Sequence, residues 1–484
     1  MSISGALTNA LSGLTAAARS ADIAASNISN SMTEGYGVRE VVLSSRVGGD
    51  SGGVNVSGII RHEDKTLLAD RRSADATVGN ATVKNEFYTS LQSELGLPNV
   101  AGSLTDLISE LEASLTLATQ APESEPQLAR IQEDLVRVPD HLNSTSDAIQ
   151  DLRVRADQKI DAAVETLNTN LQALEDINYK IRRHVVLGHD VSAMLDQRQK
   201  LVDEISEIVP VKELDRGNGL IALMTADGTM LVDGPAAEIS FTPTPVITPD
   251  MTLASGALSA LEVNGVPLDH TKTPNPIQGG VLAAHFTVRD SLAIDAQTNL
   301  DAFARDLIER FEDPAADPTL VAGNPGLFTD NGVLFDPLNE VGIAGRIEIN
   351  PLVDPSSGGA LWRIRDGLGA AAQGPSGDSS GLIALSEALT NVRAPVSGNF
   401  FGGARSASAL ASDVVSIVSG SLERSETTIV FAAAQQSALT ELELQNGVDT
   451  DYEMQRLLLI EQAYAANARV IEVIDSMLDA LMRI

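Results

Sequence analysis

Six histidines, at positions 62, 141, 184, 189, 270 and 285, are the first residues to test for chemistry. His184 and His189, with Asp190 beside the second, are metal-ligand types. A spacing of five does not put two side chains on one face of a helix, so they read as a solvated helix end. Asp330-Asn331-Gly332 starts like a calcium loop but lacks the later glutamate, which leaves a plain turn. Asp313 and Asp317 stand beside prolines as loop carboxylates. The run GGDSGG at 48–53 and Gly402-Gly403 have no Gly-Lys-Ser/Thr and no strand–helix context, so they read as connections rather than phosphate cradles. GPSGDSSG around Ser376 lacks the spacing of a nucleophile elbow. With no cysteine there is no thiolate nucleophile and no thiolate zinc site. The sequence offers no catalytic residue, no cofactor site and no metal site. It reads as a structural subunit, not an enzyme.

Composition points the same way. The chain has 484 residues, of which 43% are hydrophobic, enough for two to four domains with buried cores. Aromatic residues are 3%, with a single tryptophan, Trp362, so the interior is aliphatic and alanine-rich, as in helix bundles. The net charge is −33, from 66 acidic and 33 basic residues. Such a surface repels phosphate backbones and anionic lipids, which excludes nucleic acid as a partner. No run approaches the ~18 apolar residues of a membrane span, and the amino terminus has neither the basic start nor the apolar stretch of a signal peptide. No membrane insertion is expected.

The two ends carry the strongest pattern. Ile3, Leu7, Ala10, Leu14, Ala17, Ala21, Ala24 and Ile28 alternate steps of four and three, a heptad seam held for about 26 residues. At the other end Leu457, Ile460, Tyr464, Asn467, Ile471, Ile474, Leu478 and Leu481 step by three and four. Thr450 and Glu453 have the spacing of a capping box, and Arg483 suits the negative end of the helix. Asn467 sits in the seam as a polar register residue, or Ala468 takes the slot and Asn467 lies at its edge. Two seams of matched length suggest that the ends pair. The alternative is two separate amphipathic helices on a nearby core. Neither end shows apolar residues to spare for a second face.

The segment AASNISNSMTEGYGVRE, residues 24–40, resembles the Asn-Asn-Ile-Ala-Asn, Thr, Gly-Tyr/Phe signature of flagellar axial proteins, the rod, hook and hook-associated proteins. Asn27, Ile28, Asn30, Thr33, Gly35 and Tyr36 are the matching positions. The carboxyl end is similar to the terminal box of the same family at Gln462-Ala463-Tyr464, Ala466-Asn467-Ala468 and Met477-Leu478-Asp479. MLDQRQKLVDEISEIV at 194–209 resembles the Leu-Asp-Gln-Arg-Asp helix of the hook-associated, junction-forming branch, matched at Asp196, Gln197 and Arg198. GGVLAAHFTVRDSL at 279–292 resembles that branch's Gly-Gly helix with its Arg-Asp pair. Departures are Ser26-Asn27 for the family's second Asn-Asn, Gly37-Val38 ahead of Arg39, and Gln199 in place of an aspartate.

Between the ends, residues 85–210 read as long helices, with APESEP at 121–126 as a loop. From 211 the chain breaks into short apolar runs separated by Gly-Asn-Gly and two Asp-Gly pairs, which is hairpin chemistry. Helix returns at 279–312 and 405–445, and GRIEINPLV and LWRIRD read as strand-like within the Gly/Pro-rich 313–380. The fold expected is mainly α with a β-rich insertion, nested in the chain. A coiled-coil-like terminal domain (1–34 with 446–484) encloses an elongated helical bundle (35–210 with 279–330 and 385–445). The bundle in turn encloses an outer β-rich insertion (211–278 with 331–384).

The resemblance implies a subunit that forms a ring or helical layer with itself at the distal end of the flagellar hook. The implied partners are hook protein, the next hook-associated junction protein and a flagellar export chaperone. The implied location is extracellular, reached through the flagellar type III apparatus. Rivals are a hook or rod subunit, a surface adhesin on a coiled-coil scaffold, and a secreted enzyme carried on a flagellar scaffold.

Overall fold

A computed structural model of the chain describes residues 3–33, 35–46, 52–98, 100–268 and 277–483. His270 and residues 48–51 of the glycine-rich run lie outside them. The described chain is mostly helical with a few small sheets.

Helix α1 (Ile3–Ser29) leads into a hairpin, β1 (Arg39–Ser45) with β2 (Val54–Arg61), whose register shifts between Val42 and Leu43. Four helices follow: α2 (Lys65–Leu95), α3 (Leu104–Ala118), α4 (Glu125–Val186) and α5 (Ser192–Ile208). Asp64 caps α2, accepting from the amides of Thr66 and Leu67. At 62 residues α4 spans about 93 Å and is the longest element described.

A meander comes next, β3 (Val211–Gly217), β4 (Leu220–Thr225) and β5 (Met230–Val232), with Asn218 left-handed in its first turn. A second small sheet joins β6 (Ile239–Ser240), β7 (Glu262–Val263) and β8 (Val266–Pro267). Helix α6 (Gly280–Thr287) then runs through a π turn at Val288–Leu292 into α7 (Ala293–Glu312). After a short pair, β9 (Phe328–Asp330) with β10 (Ile347–Ile349), come α8 (Trp362–Asp366) and α9 (Ser380–Thr390). The chain ends on α10 (Ala407–Gln445) and α11 (Thr450–Met482).

Two hydrophobic cores divide the helical body, and α4 runs through both. The first gathers the second half of α2, α3, α4 up to Ala156, α7, α8, α9 and the start of α10. The second gathers α4 from Ile160, α5, α6 and the strands between 221 and 263. Polar groups sit at the division. Arg289, in the π turn, donates to Asp157 of α4 at 2.6 Å with both side chains fully buried, and to the carbonyl of Ser259 at 3.0 Å. Arg153 donates to the carbonyls of Arg289 and Thr248, and the other oxygen of Asp157 accepts from the amide of Thr244. These groups pin the irregular segment 244–259 to the middle of α4. Gly280 allows α6 to meet α5, since a Cβ there would lie 2.3 Å from the carbonyl oxygen of Ile208.

Several expectations need correction. Residues 331–384 do not share a core with 211–278. Their Phe335, Ile343, Ile347, Val353, Ile364 and Leu368 pack into the first core, while Ile221, Leu223, Val232, Ile239 and Val263 pack into the second. Glycine and proline content signals an absence of long helix, not the core a segment joins. LWRIRD is helical, as α8, and residues 39–61, expected within the bundle, form the hairpin. The cap of α11 is Asp449, whose carboxylate accepts from the amides of Asp451 and Tyr452 at 3.0 Å. Starting there, the helix places Glu453 one position too late for a capping box.

Leaving Asp157 buried without its guanidinium is costly. Arg289→Met is expected to lower stability by about 3–5 kcal/mol in chemical denaturation. Burial, together with the neighbouring Glu309, pushes Glu312 up to about 7. A raised carboxyl contributes stability below its unfolded value and loses it as pH rises through the folded one. Between pH 4.5 and 7 the natural chain is therefore expected to lose about 1 kcal/mol relative to Glu312→Gln, a discounted figure for a half-exposed group. Parallel pH profiles of the two proteins would contradict this.

Candidate assembly interface

Helices α1 and α11 lie antiparallel along each other. Two contacts fix one register: Asn27 donates to the carboxylate of Glu453 at 2.7 Å, and Gly13 faces Asn467 so closely that a Cβ would come within 2.8 Å of its amide. Along α1, Ala10, Ala17 and Ala24 are buried and Ile3, Leu7, Leu14, Ala21 and Ile28 half-buried. Ala16, Ser20, Ile23 and Asn27 form a second buried row. Small side chains let the two helices approach closely. The hairpin also touches α1, where the hydroxyl of Ser12 accepts from the amide of Val54 at 3.1 Å.

On α11, Ile474 is buried, and Leu457, Ile460, Asn467, Ala468 and Ile471 are half-buried against α1. Asn467 and Ala468 share the slot, and the Asn467 amide turns back to its own helix, donating to the carbonyl of Ala463 at 3.0 Å. Tyr464, Leu478 and Leu481 are exposed, although the heptad spacing includes them. In this register Leu478 and Leu481 fall past Ile3, the first described residue of α1.

A second stripe on α11 was missed in the sequence. Leu459, Ala463, Ala466, Val470, Val473, Met477 and Ala480 also recur at heptad steps, and all are exposed. This row is displaced by one residue from the first, about 100° around the helix. The signal was present in the spacing, and α11 does have apolar residues to spare for another face. Gln462, which neighbours it, is exposed as well.

Asn27 is the centre of the polar contacts at the base of the pair. It is fully buried and its amide is saturated. Nδ2 donates to the carbonyl of Arg39 at 2.9 Å and to Glu453, while Oδ1 accepts from the amide of Arg39 at 3.1 Å and the hydroxyl of Tyr36 at 2.8 Å. The Arg39 guanidinium lies 4.7 Å from the centre of the Tyr36 ring. Asn30 and Thr33 build the turn that brings Tyr36 back. Asn30 donates to the carbonyl of Ser26 at 2.8 Å, and the Thr33 amide to the carbonyl of Asn30 at 2.9 Å. Gly35 has φ of +75°, and its carbonyl accepts from Arg61.

The inner-helix residues extend this arrangement. Asp196 on α5 accepts from Arg61 at 2.8 Å, from the amide of Gly37 at 3.1 Å and from Arg39. Gln199 accepts from Arg61 also, so glutamine serves here as an uncharged acceptor. Arg198, held below the usual guanidinium range by burial, donates to the carbonyl of Gly219 in the β3–β4 turn at 2.5 Å. Gln197 is exposed. A further ionic group, Arg71 with Asp75, Asp203 and Glu443, ties α2 to α5 and to the end of α10. Among the described residues no group of three or more histidine, aspartate or glutamate side chains converges as a metal site. No described helix is long and apolar enough to cross a membrane.

Asn27→Asp keeps the size but turns the donor toward Glu453 into a second acceptor. The expected cost is about 2–3 kcal/mol, confined to the terminal pair. Hydrogen exchange should show amides of α11 losing protection while those of α3 keep theirs. Unchanged exchange in α11 would mean that the pair does not depend on this amide.

Comparison with known proteins gives the same assignment from two regions. Residues 91–328 match a family model described as the flagellar hook-associated protein FlgK helical domain, and residues 445–484 one described as flagellar basal body rod FlgEFG protein C-terminal. Flagellar hook-associated protein 1 of Escherichia coli (strain K12) is 24% identical, with all of both chains covered. Its namesake from Salmonella typhimurium is 27% identical over 49% of this chain and 44% of that protein. A solved flagellar hook junction protein FlgK from Burkholderia pseudomallei has a TM-score of 0.44 at 17% identity, covering 55% of this chain and 47% of that one. These likenesses, one of them over the full length of both chains, support the flagellar hook-associated protein 1 family.

Proposed function

We propose that this chain is a structural subunit of the bacterial flagellum that assembles at the distal end of the hook to form the hook–filament junction. The observation that carries the reading is the pairing of the two chain ends in a family of axial proteins, with one apolar stripe of α11 turned toward α1 and another left open. The open stripe is where α1 and α11 of neighbouring copies pack, building a coiled-coil-like inner layer. The helical body forms the next layer, with the core that holds β3–β5 nearest the terminal pair and the core that holds α8 and α9 farther out. Hook protein and the next junction protein contact this ring from opposite sides. An export chaperone covers the open stripe before assembly, and the chain travels to the tip through the flagellar export apparatus.

Electron microscopy of a strain lacking this gene, with its medium assayed for flagellin, tests the address. Hooks without filaments and flagellin in the medium are expected. Missing hooks would move the chain to the hook or rod, and intact filaments would overturn the assembly role. At residue level, Val473→Asp in the open stripe should prevent filament growth while leaving the α1–α11 pair folded. Leu7→Asp and Ile474→Asp should prevent it by parting that pair, with the melting of the helical body unchanged. Loss of the body's melting transition in either would contradict the division between the terminal pair and the body.

A further inference from the structure

The end of α4 closes in a Schellman motif. The amide of His189 donates to the carbonyl of His184 at 3.0 Å and the amide of Gly188 to that of Val185 at 3.0 Å, with Gly188 at φ of +70°. This reversal carries residue 189 back over residue 184. A five-residue spacing that would separate two side chains on a continuing helix instead brings them together. The imidazole rings lie with centroids 5.4 Å apart, and the two Nδ1 atoms are 3.3 Å from each other. Both residues are accessible, and the next residue, Asp190, accepts from the amide and hydroxyl of Ser192 to start α5.

A separation of 3.3 Å between two ring nitrogens has a chemical meaning. Zinc–imidazole bonds are about 2.0–2.1 Å, so one ion bound to both nitrogens would subtend an angle of about 107°, close to tetrahedral. Imidazole pairs prefer zinc, copper or nickel, and have little affinity for magnesium or calcium. The cap brings the two residues together before any ion arrives. Without an ion the two nitrogens share a hydrogen bond, and the ion replaces its proton once that ring carries its proton on Nε2.

We propose that His184 and His189 form a two-histidine site for a transition-metal dication of the zinc class, bound through both Nδ1 atoms with water completing the shell. The ion staples the turn between α4 and α5. Arg19 of α1 approaches the same turn, 3.9 Å from the Asp190 carboxylate, so the staple stiffens the place where the terminal pair leans on the helical body.

The test is calorimetric titration of the tag-free full chain with zinc chloride in magnesium-containing buffer. Magnesium saturates the diffuse binding expected of so acidic a surface. One equivalent per chain is expected, weakened at least about tenfold in both His184→Ala and His189→Ala and unchanged in His62→Ala. Gly188→Val, which strains the left-handed cap, should weaken it too while both histidines remain. Absence of zinc binding, binding that survives the His184 and His189 substitutions, or binding that magnesium abolishes would each overturn the site.

Discussion

The primary amide of Asn27 is the interaction on which the rest of the arrangement turns. A buried amide left unsatisfied is costly, and one that is saturated admits very few geometries around it. Here its two ends reach three separate elements: the strand entry at Arg39, the turn at Tyr36, and Glu453 on α11. Fixing that one side chain sets the direction in which the chain leaves α1 and the register of the last helix against the first. From Arg39 the constraint passes to Asp196, then along α5 to Arg198 and the carbonyl of Gly219. A line of polar locks thus runs from the chain ends into the helical body. Each lock is short and directional, so the body and the terminal pair are held at a defined angle without a large apolar contact between them.

The two parts differ in how they are held. The body buries leucine, isoleucine and phenylalanine in two cores joined by a single long helix, and the buried Arg289 and Asp157 where the cores meet are paired. The terminal pair buries mostly alanine on α1, so the apolar area it removes from water is small. What small residues provide is proximity, as the contact of Gly13 with Asn467 shows. A weak pair with one large apolar stripe still exposed is incomplete by itself, and is suited to gain its remaining stability from other copies.

The heptad on α11 was legible in part, since Leu457, Ile460, Asn467, Ile471 and Ile474 turn toward α1 while Tyr464, Leu478 and Leu481 are exposed. The order of long helices, hairpin turns and returning helix could be read from periodicity and Gly-Asn-Gly or Asp-Gly pairs. The family motifs marked Asn27, Asp196 and Arg198 as notable without saying why. Their partners are distant in sequence: Asn27 meets Glu453 across 426 positions, and Asp196 meets Arg61 across 135. No local pattern encodes such pairings. The segment 331–384 was misplaced because turns and short helices carry no sign of which core they will join. His184 and His189 were set aside on helical spacing, and the glycine that ends the helix invalidates that spacing.

Charge completes the logic of the open stripe. Copies carrying a net charge of −33 repel one another at any separation within a few screening lengths, about 8 Å each at physiological salt. The apolar rows on α11 act only at contact. On the proposed reading, free subunits stay apart although Val470, Val473 and Met477 face water, because the repulsion is met first and the attraction requires alignment. A template that already holds one copy in register removes the orientational part of that barrier, and each added copy extends the template. On the proposed assembly, the same distribution that would keep the chain dispersed in bulk directs it to a growing end, where long-range repulsion is offset by several aligned apolar contacts at once.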